Sequence, residues 1–161
     1  VPGADLHPRR VPDPVVSPLD PGQLAALQAL VGAPYDARDR RPGFHCWGLF
    51  REVQRILFEV DLPEVDIAEM SVRARARAFT TAPERRRWQR IAAPRHGCAV
   101  LLGRRDVPIH IGCYLELGPL PCDRGVIHAA RPAVSFDSLA HLEFAGWRMI
   151  ACLERACPER T

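Results

Sequence analysis

Apolar residues recur at helical spacing in the first part of the chain and form short, strand-like runs further on. A first helix is predicted to begin at Pro21, with Asp20 as its N-cap, and to end at Gly32. A second helix is predicted from about Cys46 to Val60, because apolar residues there recur every three or four positions. Its buried stripe is predicted to comprise Leu49, Phe50, Val53, Ile56 and Leu57.

The pattern then changes from helical to strand-like. Residues 64–79 are predicted to be helical, and residues 81–84 have the form of a capping box that opens a short helix through Ile91. Beyond them a series of strands is predicted, with a short turn of helix after Ser138. The predicted strands are 98–103, 109–116, 125–129, 133–137 and 146–153. Helices followed by a meandering sheet, without an internal repeat, predict an α+β domain.

Composition narrows the class of protein. The 161 residues suffice for one domain with a real core, and a net charge of +3 gives no reason to expect a nucleic-acid partner. No stretch approaches the roughly 20 apolar residues of a membrane span. Residues 1–20 lack the hydrophobic segment of a secretory signal, so neither a span nor a signal peptide is expected.

Three regions are predicted along the chain. Residues 1–20 form an extended, proline-rich arm, residues 21–155 the folded domain, and residues 156–161 a C-terminal tail. The composition of the arm is equally consistent with a disordered tail and with a segment that becomes ordered on binding a partner.

The six cysteines lie at no spacing typical of a secreted disulfide framework, and no Cys-x-x-Cys pair is present to bind zinc. Reduced thiols are therefore expected, with no metal and no cofactor. Cys98, Cys113 and Cys152 lie in strand-like runs and are expected in the core.

Cys46 lies where the second helix is predicted to begin, outside its apolar stripe. Because a helix N-terminus favours negative charge, the helix is expected to lower the pKa of this thiol and to offer a backbone N–H to an oxyanion. His110 and His128 each lie in an apolar, strand-like run. They are candidates for a general base and for the residue that orients its ring. The alternatives are an inert core thiol for Cys46, a hydrogen-bonded structural histidine for His110 and a surface strand residue for His128.

In this order and setting, these residues resemble the NlpC/P60 family of papain-like cysteine peptidases. The family pattern runs as Gly-x-Pro-Tyr, Asp-Cys-x-Gly-Leu, Gly-Asp-x-Val, His-x-Gly-x-Tyr and Ile-His-Ala. The matching segments are 32–35, 45–49, 97–100, 110–114 and 127–129. The match extends over about residues 23–153.

The resemblance implies a papain-like fold in which N-terminal helices pack on a C-terminal antiparallel sheet. It implies a catalytic triad of Cys46, His110 and His128. It also implies that the Tyr35 hydroxyl assists the backbone N–H of Cys46 in holding the oxyanion. The residues expected to bind the substrate are Tyr35, His45 and Trp47. The implied substrate is a peptidoglycan stem peptide, cut between its γ-D-glutamyl residue and the diamino acid.

The segment 46–51, followed by Asp61-Leu62-Pro63, resembles the compact NlpC/P60 proteins of phage tail tips and gene transfer agents. This subtype implies a protein made in the host cytoplasm, carried in the virion, and acting in the periplasm or on the cell wall. Other tail-tip or hub proteins are its expected partners, with residues 1–20 as the candidate contact.

The chain departs from the family pattern at three places. His45 and Cys98 each replace an Asp, and the Gly-Gly that often follows the tyrosine is absent. Since the nucleophile and both histidines are kept, these departures bear on substrate choice more than on hydrolysis.

Other functions remain open. A structural tail-tip protein with weak or no activity is favoured by His45 and by the proline-rich arm. An amidase or acyltransferase on the same fold is a third class, since fold does not fix function. The arginines at 73, 75, 77 and 85–87 are predicted to form solvated helix faces. The alternative is that they contact an anionic glycan, nucleic acid or an acidic partner.

Overall fold

The computed structural model describes residues 19–67 and 70–156. The predicted arm and tail lie almost wholly outside these residues, so both stay predictions. Within the described part, no helix is long and apolar enough to cross a membrane.

The described residues form four α-helices and six strands. The helices are α1 (Pro21–Leu30), α2 (Cys46–Phe58), α3 (Val72–Thr81) and α4 (Leu139–Phe144). The strands are β1 (Trp88–Ile91), β2 (Ala99–Gly103), β3 (His110–Glu116), β4 (Arg124–Ala129), β5 (Val134–Asp137) and β6 (Arg148–Arg155).

Helices α1 and α2 begin at the predicted residues. At α1, the Asp20 carboxylate accepts from the Gln23 N–H at 2.8 Å, and the Gln23 side chain accepts from the Asp20 N–H at 3.3 Å. These two bonds form a capping box, which satisfies backbone donors that the helix leaves unpaired. Helix α2 ends two residues earlier than predicted, because Glu59 adopts a left-handed conformation with φ of 55°.

The strands form one antiparallel sheet in the order β1-β6-β2-β3-β4-β5. Helix α2 packs on the face that carries Ile111 and Cys113. The opposite face, which carries Tyr114 and Val126, packs against Leu142 of α4. The predicted α+β class is therefore confirmed, and the start of α2 lies against one face of the sheet.

The helix predicted over 64–79 is wrong in extent. Helix α3 begins only at Val72, where the Ser71 hydroxyl accepts from the Ala74 N–H at 3.2 Å. The described residues just before it are not helical. The start of this segment is held near α2, because Glu64 pairs with Arg51 at 3.4 Å and the preceding Pro63 carbonyl accepts from the Trp47 indole N–H at 2.9 Å.

The short helix predicted through Ile91 is also wrong. Pro83–Arg87 is a 3₁₀ helix without a side-chain cap, and the chain continues directly as β1. Strand β1 pairs with β6, with Trp88 opposite Arg155. The backbone of β6 therefore offers a pairing partner that local sequence could not reveal, and tertiary pairing overrides propensity.

Candidate active site

The loop before α2 holds Tyr35 beside the start of that helix. Tyr35 forms a parallel bridge with Phe44, and the Phe44 N–H donates to the Pro34 carbonyl at 3.0 Å. The guanidinium of Arg131 lies over the Tyr35 ring, 5.0 Å from its centroid. The predicted oxyanion residue is thus half-buried and fixed by its backbone next to α2.

His45 is the N-cap of α2, a role that the sequence analysis did not assign to it. Its Nδ1 accepts from the Gly48 N–H at 2.8 Å, and burial lowers the pKa of His45 against the opposing charge of Asp39. A neutral imidazole thus occupies the position where the family has Asp, itself a favoured N-cap residue. A Cβ on Gly48 would lie 2.0 Å from Asp39 Oδ1, so any larger residue here would have to displace the Asp39 carboxylate.

Cys46 is the first residue of α2, and only 3% of its surface is exposed. Burial raises the pKa of the Cys46 thiol to about 11. The backbone N–H of Ile111, the charge of Arg75 and the N–H of Trp47 act against this shift without overcoming it. The backbone N–H groups at the helix start do act to lower this pKa, as expected, but desolvation of the thiolate outweighs them and the net shift is upward.

The two predicted histidines are in direct contact. His110 Nε2 lies 3.0 Å from His128 Nδ1, and both rings are buried. On the far side of His128, its Nε2 lies 2.9 Å from Asp137 Oδ2. The Ser135 hydroxyl donates to the same Asp137 oxygen at 2.6 Å. A continuous series of side chains, which we call the histidine relay (His110, His128, Asp137 and Ser135), therefore crosses β3, β4 and β5.

The carboxylate determines where the protons of the histidine relay lie. An ionised Asp137 can only accept, so His128 Nε2 carries its proton and His128 Nδ1 is an acceptor. His110 Nε2 must then donate to His128 Nδ1, which leaves His110 Nδ1 as the basic nitrogen. The histidine relay therefore fixes which nitrogen of His110 could accept a proton.

Strand register brings the histidine relay together. Pairing of Cys113 with Ile127 places Gly112 beside His128, and a Cβ on Gly112 would lie 2.4 Å from Val126 Cγ1. Glycine is therefore required for β3 and β4 to approach at the histidines. The His110 ring also stacks on Trp147, with ring centroids 4.9 Å apart, which further restricts its orientation.

The histidines of the relay are uncharged at neutral pH. Burial lowers the pKa of His110 to about 3, and the charges of His128 and Arg75 act in the same direction. Burial also lowers the pKa of His128, against the opposing effect of Asp137. At Asp137, burial acts to raise the pKa, but hydrogen bonds from Ser135 and His128 outweigh it and lower the pKa.

In the described part of the chain, Cys46 and His110 are not hydrogen-bonded to each other. The His110 ring instead forms a hydrogen bond with His128. The pKa shifts favour a neutral Cys46 thiol and a neutral His110 imidazole. The thiol nonetheless lies next to β3, since the Ile111 N–H acts on its pKa. Hydrogen bonds between a nucleophile and its base often tighten only when substrate binds.

Trp47, the last predicted site residue, lines an apolar cavity between α2, α3 and the sheet. Its ring stacks on Phe50, with centroids 5.7 Å apart, and its indole N–H is already bonded to the Pro63 carbonyl. Trp47 can therefore contact a ligand through its ring face. In the described part of the chain, no group of three or more His, Cys, Asp or Glu side chains is arranged to hold a metal ion.

The sequence analysis missed Asp137, Ser135 and Arg75. Asp137 and Ser135 alternate with the apolar residues of β5, so the pattern hinted that both lie on one face. Their contact with His128 depends on the register between β4 and β5, which pairs His128 with Ser135. Arg75 was assigned to a solvated helix face, whereas it is only partly exposed and lines the cavity beside Trp47.

Comparison with known proteins adds no further assignment. No protein-family model matches the chain, and no curated protein matches it in sequence. The geometry of the buried thiol and the histidine relay is therefore what bears on function.

Proposed function

We propose that the protein is a cysteine hydrolase of the NlpC/P60 type that cleaves an amide bond. The observation that supports this most strongly is the histidine relay, in which His110 and His128 are hydrogen-bonded at 3.0 Å and His128 and Asp137 at 2.9 Å. A buried series of this kind fixes the tautomer of His110 and directs its basic nitrogen away from His128. The relay starts one residue from Ile111, whose N–H acts on the Cys46 thiol.

In the proposed mechanism, the Cys46 thiol gives its proton to His110 Nδ1 while its sulfur attacks the substrate carbonyl carbon. The carbonyl oxygen becomes an oxyanion held by the Cys46 backbone N–H, with the Tyr35 hydroxyl as second donor. His110 then returns the proton to the leaving amine, and the C–N bond breaks to give a thioester on Cys46. Water, deprotonated by His110, hydrolyses the thioester and restores the thiol.

Proton transfer in this scheme accompanies the attack instead of preceding it. With the pKa of Cys46 raised to about 11 and that of His110 lowered to about 3, the free protein holds an uncharged pair. The thiolate therefore forms only as the developing bond to carbon takes up its charge.

The proposed substrate is a peptidoglycan stem peptide, cleaved between the γ-D-glutamyl residue and the diamino acid. This choice rests on the sequence resemblance to compact NlpC/P60 proteins of phage tail tips. The proposed setting follows from the same resemblance: a protein carried in the virion, bound to other tail-tip or hub proteins, that opens the cell wall during genome delivery.

Digestion of purified peptidoglycan tests this proposal. Cys46→Ala is expected to abolish release of muropeptides, whereas Cys122→Ala, which removes an exposed thiol, is expected to leave release unchanged. Circular dichroism of both variants controls for folding. Equal release by wild type and Cys46→Ala overturns the proposal.

A structural tail-tip protein with weak or no activity is the second candidate. The raised thiol pKa and the role of His45 as a helix cap favour it. In that case particles carrying Cys46→Ala would assemble and deliver their genomes as well as wild type. Loss of delivery with normal assembly would instead favour the hydrolase.

A further inference from the structure

Helix α3 presents one of its arginines differently from its neighbours. Arg73 and Arg77 are exposed, whereas Arg75 is only partly exposed. The Arg75 Nε is buried and has no hydrogen-bond partner within residues 19–67 and 70–156. An unpaired buried donor on a cation is costly, because its lost hydration is not replaced. The Arg75 Nε–H is therefore suited to an acceptor that the described chain does not provide.

Arg75 lines a cavity of about 70 Å³ that adjoins the candidate active site. The cavity wall includes Trp47 and Ile111, the residues that follow Cys46 and His110 in sequence. Most of the remaining wall is apolar, with Phe79 and Leu101 among its residues. Such a space holds a group of a few atoms, in the way that a side pocket holds part of a larger ligand.

The other charged residues of this cavity already have partners. Glu84 accepts from the Trp88 indole N–H at 3.1 Å and pairs with Arg155 at 3.6 Å. Arg85 donates to the Trp88 carbonyl. Glu84 is thus already engaged by Trp88 and Arg155, and no hydrogen bond or ion pair joins it to Arg75 within the described residues.

Arg75 is also close enough to the catalytic residues to act on them. Its positive charge helps to lower the pKa of Cys46 against the larger effect of burial, and it helps burial to lower the pKa of His110. An anion bound at Arg75 would lie in the same electrostatic neighbourhood as the reacting sulfur.

We propose that Arg75 and the cavity beside Trp47 form a subsite for a carboxylate on the substrate, next to the scissile amide. This inference rests on the proposed function. A γ-linked glutamyl residue leaves its α-carboxylate free, a few bonds from the carbonyl that Cys46 would attack. Guanidinium binds carboxylate through two parallel hydrogen bonds, and the apolar wall would contact the methylene groups of the same residue.

A purely structural role for Arg75 predicts something different. Arginine often covers apolar surface with its stem while its charge stays in water. Replacement would then change stability alone, and it would weaken binding of charged and uncharged ligands by the same factor. Discrimination between a carboxylate and an amide is therefore the informative readout.

Two peptides provide that readout: L-Ala-γ-D-Glu-diaminopimelate, and its counterpart with D-isoglutamine, in which an amide replaces the α-carboxylate. Their binding is measured by titration calorimetry to the intact chain carrying Cys46→Ala, so that no turnover occurs. The carboxylate peptide is expected to bind about 10- to 100-fold more tightly, as for a charge-assisted hydrogen bond. Adding Arg75→Gln should abolish this preference, whereas adding Arg73→Gln, an exposed arginine of the same helix, should preserve it.

The double variant with Arg75→Lys and Cys46→Ala controls for a folding defect. It keeps the positive charge and should therefore retain part of the preference for the carboxylate peptide. Equal binding of the two peptides by Cys46→Ala overturns the subsite, as does a preference that survives Arg75→Gln. Failure of Cys46→Ala to bind either peptide also overturns it. Release of muropeptides by wild type, measured separately, shows in each case whether the proposed hydrolysis still stands.

Discussion

Replacing Asp137 with alanine removes the carboxylate at the end of the histidine relay. The change leaves His128 Nε2–H and the Ser135 hydroxyl without the acceptor that they contact at 2.9 and 2.6 Å. A hydrogen bond to a charged group contributes about 1.5–3 kcal/mol, and burial sets where in that range a site falls. Because 22% of the Asp137 side chain is exposed, we expect the free energy of unfolding to fall by about 1.5 kcal/mol.

The same change should reduce catalysis through His110. Without the carboxylate, His128 is free to adopt either tautomer, so His110 Nδ1 is no longer reliably the basic nitrogen. We expect kcat to fall about 10- to 100-fold, part of the 10²- to 10⁴-fold that general base catalysis contributes. KM should change little, since Asp137 is not among the residues expected to bind the substrate.

The assay combines urea denaturation with steady-state cleavage of the γ-D-glutamyl peptide. Asp106→Ala is the matched control, because it removes an exposed carboxylate paired with Arg148 at 3.1 Å. Exposed ion pairs of this kind contribute little, so both readouts should stay near wild type. If Asp137→Ala loses stability but keeps its kcat, the relay is structural and our reasoning about the tautomer of His110 is refuted.

Two further predictions concern protonation. The pKa of His110 falls from 6.5 to about 3 on folding, so the unfolded chain binds the extra proton and stability should decrease as pH drops below about 6.5. His110→Gln should flatten this decrease by up to about 1.4 kcal/mol per pH unit in urea titrations; an unchanged slope argues against a buried neutral His110. For the thiols, iodoacetamide at pH 7 should label exposed Cys122 before buried Cys46, as read by peptide mass spectrometry. Faster labelling of Cys46 would contradict its raised pKa.

The main elements of the fold follow from local signals. Asp20 and Pro21 define the start of α1, and short apolar runs define the central strands. The errors in predicted secondary structure occur where tertiary contacts determine whether a segment is a helix or a strand. Residues Trp88–Ile91 form a strand because β6 pairs with them, and α3 starts late because α2 holds part of the preceding segment.

Candidate-site residues could be predicted from the sequence where their own helix or strand determines their position. The apolar runs predicted His110 and His128 in two consecutive strands, and the two rings are in contact. Asp137 was missed because its contact depends on the register between two strands. The pKa of Cys46 was mispredicted because burial is a property of the whole packed domain.

The central claim of this account is that Cys46 forms a thioester with the substrate. Hydroxylamine added to a peptidoglycan digest competes with water for such an intermediate and converts the acyl group to a hydroxamate. We predict that wild type yields stem peptides ending in a γ-D-glutamyl hydroxamate, and that Cys46→Ala yields neither hydroxamate nor hydrolysis product. Undiminished hydrolysis by Cys46→Ala would contradict the claim.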